Sequence, residues 1–462
     1  KIEWNKLTHA YGEASDVPAV IRKLLSDDSE ERNQALWVLY GNIFHQGTRY
    51  QATPYAVPFI YELIAAPEVK DRDQLIYLLV KIALGYEEAF LPTGIDIEKF
   101  RQSREDAMKQ MSDEDKSDCE EYGFGPDVEL DCYDAVKKGI PELIALLDSE
   151  DEAVQNAAAY ALAWFPEEAD TSLPAIRSII RKHKNNLYRA NALLAFGLLA
   201  RSSGAQAEAE DFEFELTHES LLLRTAAAIT LYKFPLPDKL VNILIEAIQE
   251  SSQLQGLEEI QFNEGNLSGY ASCVLTCSDE SAYSKVIPAL CKTLENVNAY
   301  QSLDITSSIL QMVVLGKEKY LRDIPVAELK PLEVDALRAI ANHGGWKIDD
   351  ATFVNYSDLV GSFGCPDSQE ALLAYLDDKW KEWAMSKFFE DFDYDSFWSR
   401  SEYSLKEYVG QALTAEDIES VEKELGFKLP ASYIEFMKHQ NGGIPQKRYF
   451  MASGTAWVDN YI

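Results

Sequence analysis

One element recurs along this chain: an aliphatic residue, then Pro, then an apolar stripe at helical spacing. It reads VPAVIRKLL from Val17, VPFIYELI from Val57, IPELIALL from Ile140, LPAIRSII from Leu173 and IPALCKTL from Ile287, with a weaker copy at Leu236-Pro237. Pro has no N–H to donate and its φ is already helical, so the first helical position tolerates it where the interior does not. Each copy therefore reads as the start of a short first helix. A polar turn follows, then a second helix rich in Ala and Leu: Glu31–Phe44, Ala153–Phe165, Leu187–Ala200 and Leu221–Phe234. Ser26-Asp27-Asp28-Ser29 and Asp148-Ser149-Glu150-Asp151 supply cap-type residues in the turns. Ala157, Ala158, Ala190, Ala192, Ala226 and Ala227 allow close helix-to-helix approach.

Pro18 to Pro58 spans 40 residues and Pro141 to Pro174 spans 33. Those periods resemble two-helix repeats of the HEAT class. One pair cannot bury its apolar face alone, whereas stacked pairs can. The expected fold class is mainly α: a HEAT-like α-α superhelix (solenoid) followed by a partial α+β domain. Its 462 residues suit such an array, because single cores stop growing at roughly 250–300 residues. An open superhelix offers an extended concave surface, which is expected to bind proteins or peptides.

Charge narrows the partner. Lys and Arg total 43 against 77 Asp and Glu, a net −34. That field repels nucleic acid and anionic lipid and attracts basic proteins. No apolar run reaches the roughly 20 residues a membrane span needs. The six cysteines, Cys119, Cys132, Cys273, Cys277, Cys291 and Cys365, are irregularly spaced and read as free thiols in a reducing compartment. The expectation is a soluble cytoplasmic protein without cofactor or metal. The six histidines form no HExxH or HxH spacing. The densest local cluster, His45-Gln46-Gly47-Thr48-Arg49-Tyr50, reads as a turn in which His45 and Arg49 cap backbone carbonyls.

The repeats divide as 1–85 and 135–330, with an acidic insertion at 86–134. Gly123, Gly125 and Pro126 break any helix there, so the insertion is expected to be a charged loop on one face. It is either merely solvated or a contact for the partner through Asp113, Glu114, Asp115, Glu120 and Glu121. From 331 to 402 the pattern loosens into irregular helices and an acidic-aromatic linker. There Phe389, Asp391, Phe392, Asp393, Tyr394, Asp395 and Trp398 interleave rings with carboxylates. Such anchors suit docking to a basic, partly apolar patch, or they cap the array and pack the next domain.

From 403 the texture changes. Thr414 with Asp417 three residues on forms a capping box opening a helix. Ile418, Val421 and Leu425 give that helix its apolar stripe, Leu429-Pro430 opens another, and RYFMA and AWVDNYI read as strand starts. The series Gly426, Phe427, Leu429, Pro430, Tyr433, Phe436, Asn441, Gly442 and Gly443 resembles the SMI1/KNR4 (SUKH) superfamily over about the last 50 residues. Domains of that family are longer, so the resemblance implies a sheet continuing beyond Ile462. It also implies an immunity protein of a bacterial polymorphic toxin system, which binds and neutralises its toxin. No catalytic residues come with it. The N-terminal stretches HAYGEASDVPAVIRKLL and NIFHQGTRYQATPYAVPFIYELI resemble bacterial HEAT-repeat proteins.

The expected function is thus a non-enzymatic, protein-binding solenoid that neutralises a basic, nuclease-type toxin. A general adaptor is the alternative. HEAT-like enzymes, bilin lyases or DNA glycosylases, are more remote: a glycosylase needs a basic groove for phosphates. The oligomeric state is left open.

Overall fold

Asp28, Asp151, Asn185 and Asp279 each accept a hydrogen bond from a backbone N–H that opens a helix. The polar turns are thus N-caps, each satisfying donors that the helix itself cannot. The computed structural model describes residues 2–254, 256–257, 259–379, 394–425, 429, 431–446, 449–450 and 458–459. The chain is mainly α and divides into two units, Lys1–Leu315 with His343–Asp350, and Gly316–Asn342 with Ala351–Ile462.

In the first unit the helices are α1 (Val17–Lys23), α2 (Ser29–Ile43), α3 (Thr53–Ala65) and α4 (Arg72–Leu84), then α5 (Ile97–Gln110), α6 (Asp113–Tyr122), α7 (Pro126–Lys137) and α8 (Ile140–Leu146). They continue with α9 (Glu152–Leu162), α10 (Ala169–Lys182), α11 (Asn186–Ser202), α12 (Leu221–Leu231), α13 (Asp238–Gln249), α14 (Leu267–Leu275), α15 (Glu280–Leu294) and α16 (Ser302–Val314). Neighbours pair as α1 with α2, α8 with α9, α10 with α11 and α15 with α16. Pairs then stack: α4 on α9, α9 on α11, α11 on α12, α13 on α15 and α14 on α16. Two second helices stop short of the expected ends. Pro166 follows Phe165 and Pro235 follows Phe234, and a residue before Pro is pushed out of the helical region.

The prolines depart from expectation. Pro18 and Pro141 do open α1 and α8. Pro58, Pro174 and Pro288 lie inside α3, α10 and α15, each of which begins earlier than the sequence suggests. An interior Pro leaves the carbonyl four residues back without its N–H partner. The extra turn nonetheless buries Ala56 and Val57 in α3, Ser172 and Leu173 in α10, and Val286 and Ile287 in α15. Burial of these groups outweighs the local preference.

The acidic stretch 86–134 is not a loop. It folds into α5 and α6, and α7 crosses the boundary placed after 134. Phe100 is the reason: it is buried against Phe90 and Tyr133, at 6.1 and 5.6 Å between ring centres. Arg104 lies over the Phe100 ring and pairs with Glu129 of α7 at 3.1 Å.

Among the described residues of the first unit, the second helices α9 and α11 are covered rather than open to water. Every residue from Asn156 to Pro166 and from Ala190 to Ala200 is buried. Two connections cover these helices. The segment after α4 sends Glu87 to the Tyr160 hydroxyl at 2.7 Å, and its Pro92 carbonyl accepts from Arg201 at 2.9 Å. The segment before α14 seats Phe262 on Tyr160 and Trp164, at 4.9 and 6.0 Å between centres. A groove lined by α9 and α11 is therefore filled by the chain itself.

The second unit contains α17 (Pro331–Asn342), α18 (Val354–Ser362), α19 (Gln369–Leu376), α20 (Tyr394–Phe397), α21 (Glu402–Glu407), α22 (Ala415–Leu425) and α23 (Ala431–His439). Helix α17 packs on α19, and Tyr375 of α19 donates to the Ile324 carbonyl at 2.7 Å. Tyr449–Phe450 and Val458–Asp459 pair as short antiparallel strands.

Candidate docking surfaces

Helix α6 carries the strongest local acidity. Its first turn is Asp113, Glu114 and Asp115, and it buries no residue. The Ser112 hydroxyl caps the Asp115 N–H at 3.1 Å, and the Asp115 carboxylate accepts from the Ser112 N–H at 3.1 Å. That hydrogen bonding from Ser112 holds the Asp115 carboxyl below its ordinary value. Asp115 is thus committed to the cap, while Asp113, Glu114, Glu120 and Glu121 are exposed. Carboxylates at a helix N-terminus are favoured by the dipole, so the cluster costs the fold little. Beyond α6, the Gly123 carbonyl accepts from Gln51 N–H at 2.7 Å and Phe124 bridges to Tyr50. This docking fixes the helix beside the N-terminal hairpins.

The His45 cluster forms a two-residue β-hairpin, Phe44–His45 with Thr48–Arg49. Gln46 and Gly47 take the positive φ that such a turn requires. Arg49 does cap a carbonyl, donating to Gly47 at 2.5 Å, and it also pairs with Glu129 at 3.1 Å. His45 does not: its Nδ1 sits 3.5 Å from the Tyr11 hydroxyl. His9 is the more constrained histidine. Its Nε2 lies 2.9 Å from Asp16, and its Nδ1 accepts from the Tyr11 N–H at 3.0 Å. With both nitrogens occupied, the His9–Asp16 pair fastens a second hairpin, Thr8–His9 with Gly12–Glu13, rather than offering a free base.

The acidic-aromatic segment divides. Phe389, Asp391, Phe392 and Asp393 lie outside the described residues, and Tyr394 and Asp395 are described only as part of α20. Trp398 is no surface anchor. It is 5% exposed and packs on Phe436, 5.4 Å between ring centres. The backbone around it pairs with the Asn441-Gly442-Gly443 region: Ser399 N–H donates to Ile444 at 2.7 Å and Gln446 N–H to Phe397 at 2.8 Å. This part of the fold therefore starts before 403.

Pro430, Gly426 and Phe427 also lie outside the described residues. Leu429 N–H donates to Glu422 at 3.0 Å, and Tyr433 is exposed. Asn441 accepts from Gly410 N–H at 2.7 Å and its amide donates to Gln411 at 2.8 Å. Gly442 and Gly443 have φ of +90° and +140°; a Cβ there would sit 2.4 Å from the Tyr408 carbonyl oxygen and 2.8 Å from the Trp398 ring. Backbone conformation and close approach both demand glycine. The capping box is present too, with Thr414 N–H to Asp417 at 3.0 Å and Asp417 N–H to Thr414 at 3.2 Å.

Residues 412–461 match the SMI1 / KNR4 family (SUKH-1). No curated protein matches the chain. A crystal structure of an engineered protein, a structural-genomics target, is similar at 17% identity with a TM-score of 0.25, covering 83% of this chain and 96% of its own.

Burial pushes the Cys273 and Cys365 thiols up to about 12, which leaves them inert as nucleophiles. Among the described residues no three His, Cys, Asp or Glu side chains group as a metal would require. Among them, too, no helix is long and apolar enough to cross a membrane. The sequence reading passed over the exposed ring of Trp37 on α2. Its signal was the unbroken apolar run Ala35–Tyr40, which cannot all face one side of a helix.

Proposed function

We propose that this chain is an immunity-type protein that binds and neutralises a basic bacterial toxin, and that it acts by binding rather than catalysis. The observation that carries the reading is the match of residues 412–461 to the SUKH-1 family within a chain of net charge −34. The exposed carboxylates of α6 supply a concentrated field of the right sign. Opposite fields steer encounter and raise association to about 10⁸ M⁻¹s⁻¹ at low salt, against about 10⁵–10⁶ for neutral pairs. A nuclease fits best as the toxin, because carboxylates can occupy a cleft built for phosphates.

The test is coexpression with basic nuclease toxin domains, followed by binding kinetics at low and high salt. Rescue of growth with an on-rate that falls steeply with salt is expected. Failure to rescue, with no binding at low salt, refutes the toxin reading. A general adaptor is the second reading, favoured by the large helical unit Lys1–Leu315 that lies outside the matched segment. It predicts several weak partners and no rescue.

A further inference from the structure

The second helices α4, α9 and α11 begin side by side. Arg72, the first residue of α4, reaches Asp151, the N-cap of α9, at 3.7 Å. Tyr188, in the first turn of α11, meets the His183 ring at 5.7 Å between centres. Burial raises the Tyr188 phenol, and Glu152, Glu259, Asp151 and Asp73 raise it further. Tyr77 of α4 has the same surroundings: burial raises it most, and Asp73 and Glu259 add to the rise. Asp151 and Glu152 are exposed, and Asp73, Glu259, Tyr77 and Tyr188 are half-buried. Three helix starts and one connecting segment thus bring four carboxylates to two rings at the surface.

Helix dipoles account for part of this. Asp73, Asp151 and Glu152 stand at helix N-termini, where negative charge is favoured. Glu259 has no such reason. It belongs to the segment before α14 and adds like charge to a place that already holds three. The Arg72 guanidinium is buried and committed to Asp151 and to the Ile64 carbonyl, at 3.7 and 3.3 Å. Burial holds the His183 imidazole below its ordinary value against the pull of Glu152, so it carries no charge at neutral pH. Among the described residues no ion pair engages the Glu152 or Glu259 carboxylate. Acceptors extend below the surface as well. Asn156 is 2% exposed; its amide nitrogen donates to the Glu259 carbonyl at 2.5 Å and lies against the Tyr77 hydroxyl. Its amide oxygen has no partner among the described residues, a rare state for a buried acceptor. What this rim lacks is a donor that carries positive charge.

A metal ion does not fit, since among the described residues no three such side chains group closely enough to ligate one. Acceptors spread around a ring suit a guanidinium instead. It presents five N–H donors in a planar fork, and its flat face stacks on an aromatic ring. An ammonium is a compact point charge that reaches fewer of them. We infer that this rim seats an arginine side chain of a basic protein, stacked on Tyr188 and bonded to Glu152 and Glu259. The inference deepens the proposed capture of a basic partner and rests on that reading for the partner's identity.

The test uses the full chain at low salt and a fluorescent peptide of alternating glycine and arginine, with a glycine–lysine counterpart. Binding is measured for the native protein, for Glu152→Gln with Glu259→Gln, for Tyr188→Ala and for Tyr188→Phe. A control, Glu62→Gln with Glu295→Gln, removes two exposed charges elsewhere. The paired rim change and Tyr188→Ala are each expected to weaken the arginine peptide about tenfold, Tyr188→Phe to recover most of it, and the control to change little. The lysine peptide should bind several-fold more weakly. The paired rim change should also raise the urea midpoint of the free protein, because it relieves like charge; damage to the fold would lower it.

Equal weakening by the control would overturn the proposal, since binding would then be to acidity in general. Equal affinity for the lysine peptide would overturn it too, and so would a lowered urea midpoint in the rim variant. Displacement of the peptide by micromolar calcium would make a metal the occupant and end it. Capture of a basic nuclease domain separates the two levels. If native protein and the rim variant capture it equally, the arginine seat is refuted and the toxin reading stands. If the native protein captures none while the peptide results hold, the toxin reading falls and the seat stands.

Discussion

Phe262→Ala probes the closure of the inner face. The ring is 1% exposed and lies 4.9 Å from Tyr160, 6.0 Å from Trp164 and 6.3 Å from Tyr270 between centres. Truncating a buried Phe costs about 3–5 kcal/mol, and ring pairs contribute about 0.5–1.5 kcal/mol each beyond area. The connecting segment can collapse partway into the space, which places the expected loss near the low end, about 3 kcal/mol. Polar bonds hold the segment as well: Asn156 donates to the Glu259 carbonyl at 2.5 Å, and Asn263 and Asn266 both donate to Asp304 at 2.8 Å. Urea unfolding followed by tryptophan fluorescence gives the total. Hydrogen exchange over 259–266 and 156–164 shows where it arises, and both stretches are expected to lose protection. A loss under about 1 kcal/mol with unchanged exchange would mean that Phe262 merely rests on an already stable surface. The account of a filled inner face would then fail.

Trp398→Ala should destabilise the C-terminal packing by about 3 kcal/mol and speed hydrogen exchange over 431–446, leaving α9 and α11 unaffected. Protection unchanged at Phe436 would refute the packing role. Asp151 accepts from the N–H groups of Ala153 and Val154, so Asp151→Ala should cost about 1 kcal/mol in urea unfolding and Asp151→Asn clearly less. Equal losses for the two would point to charge rather than capping. Burial pushes the His343 imidazole below its ordinary value, opposed by its bond to the Val297 carbonyl at 3.1 Å. The neutral form is therefore favoured on folding, so its stability is complete above the unfolded pKa, about 6.5, and is lost as pH falls below that and through the lower folded value. His343→Asn should flatten the dependence of stability on pH below about 6.5; an unchanged slope refutes the assignment.

Helical content was legible because Ala- and Leu-rich runs with Asp or Asn caps carry their signal locally. Asp28, Asp151 and Thr414 each perform the capping that their positions announce. The Asn441-Gly442-Gly443 series was legible for a different reason. Its side-chain-free backbone is a covalent property that no tertiary contact can substitute. The interior prolines were not legible, because position within a helix is decided by what the preceding turn buries. Trp398 stayed between two readings on the same account: an aromatic among carboxylates has the composition of an anchor whether it faces water or, as it does, packs on Phe436.

The sequence by itself determined the helices, their caps, the acidity and the glycine turn, all of which follow from short-range sterics and from counting charge. Only the tertiary structure decided which apolar faces meet. It folded 86–134 around Phe100, filled the inner face with Glu87 and Phe262, and left Trp37 in water. Hydrophobic burial has no direction of its own, so a run of apolar residues states that a face will be covered but not by what. The covering groups lie as far away in the chain as Glu87 from Tyr160 and Glu259 from Asn156.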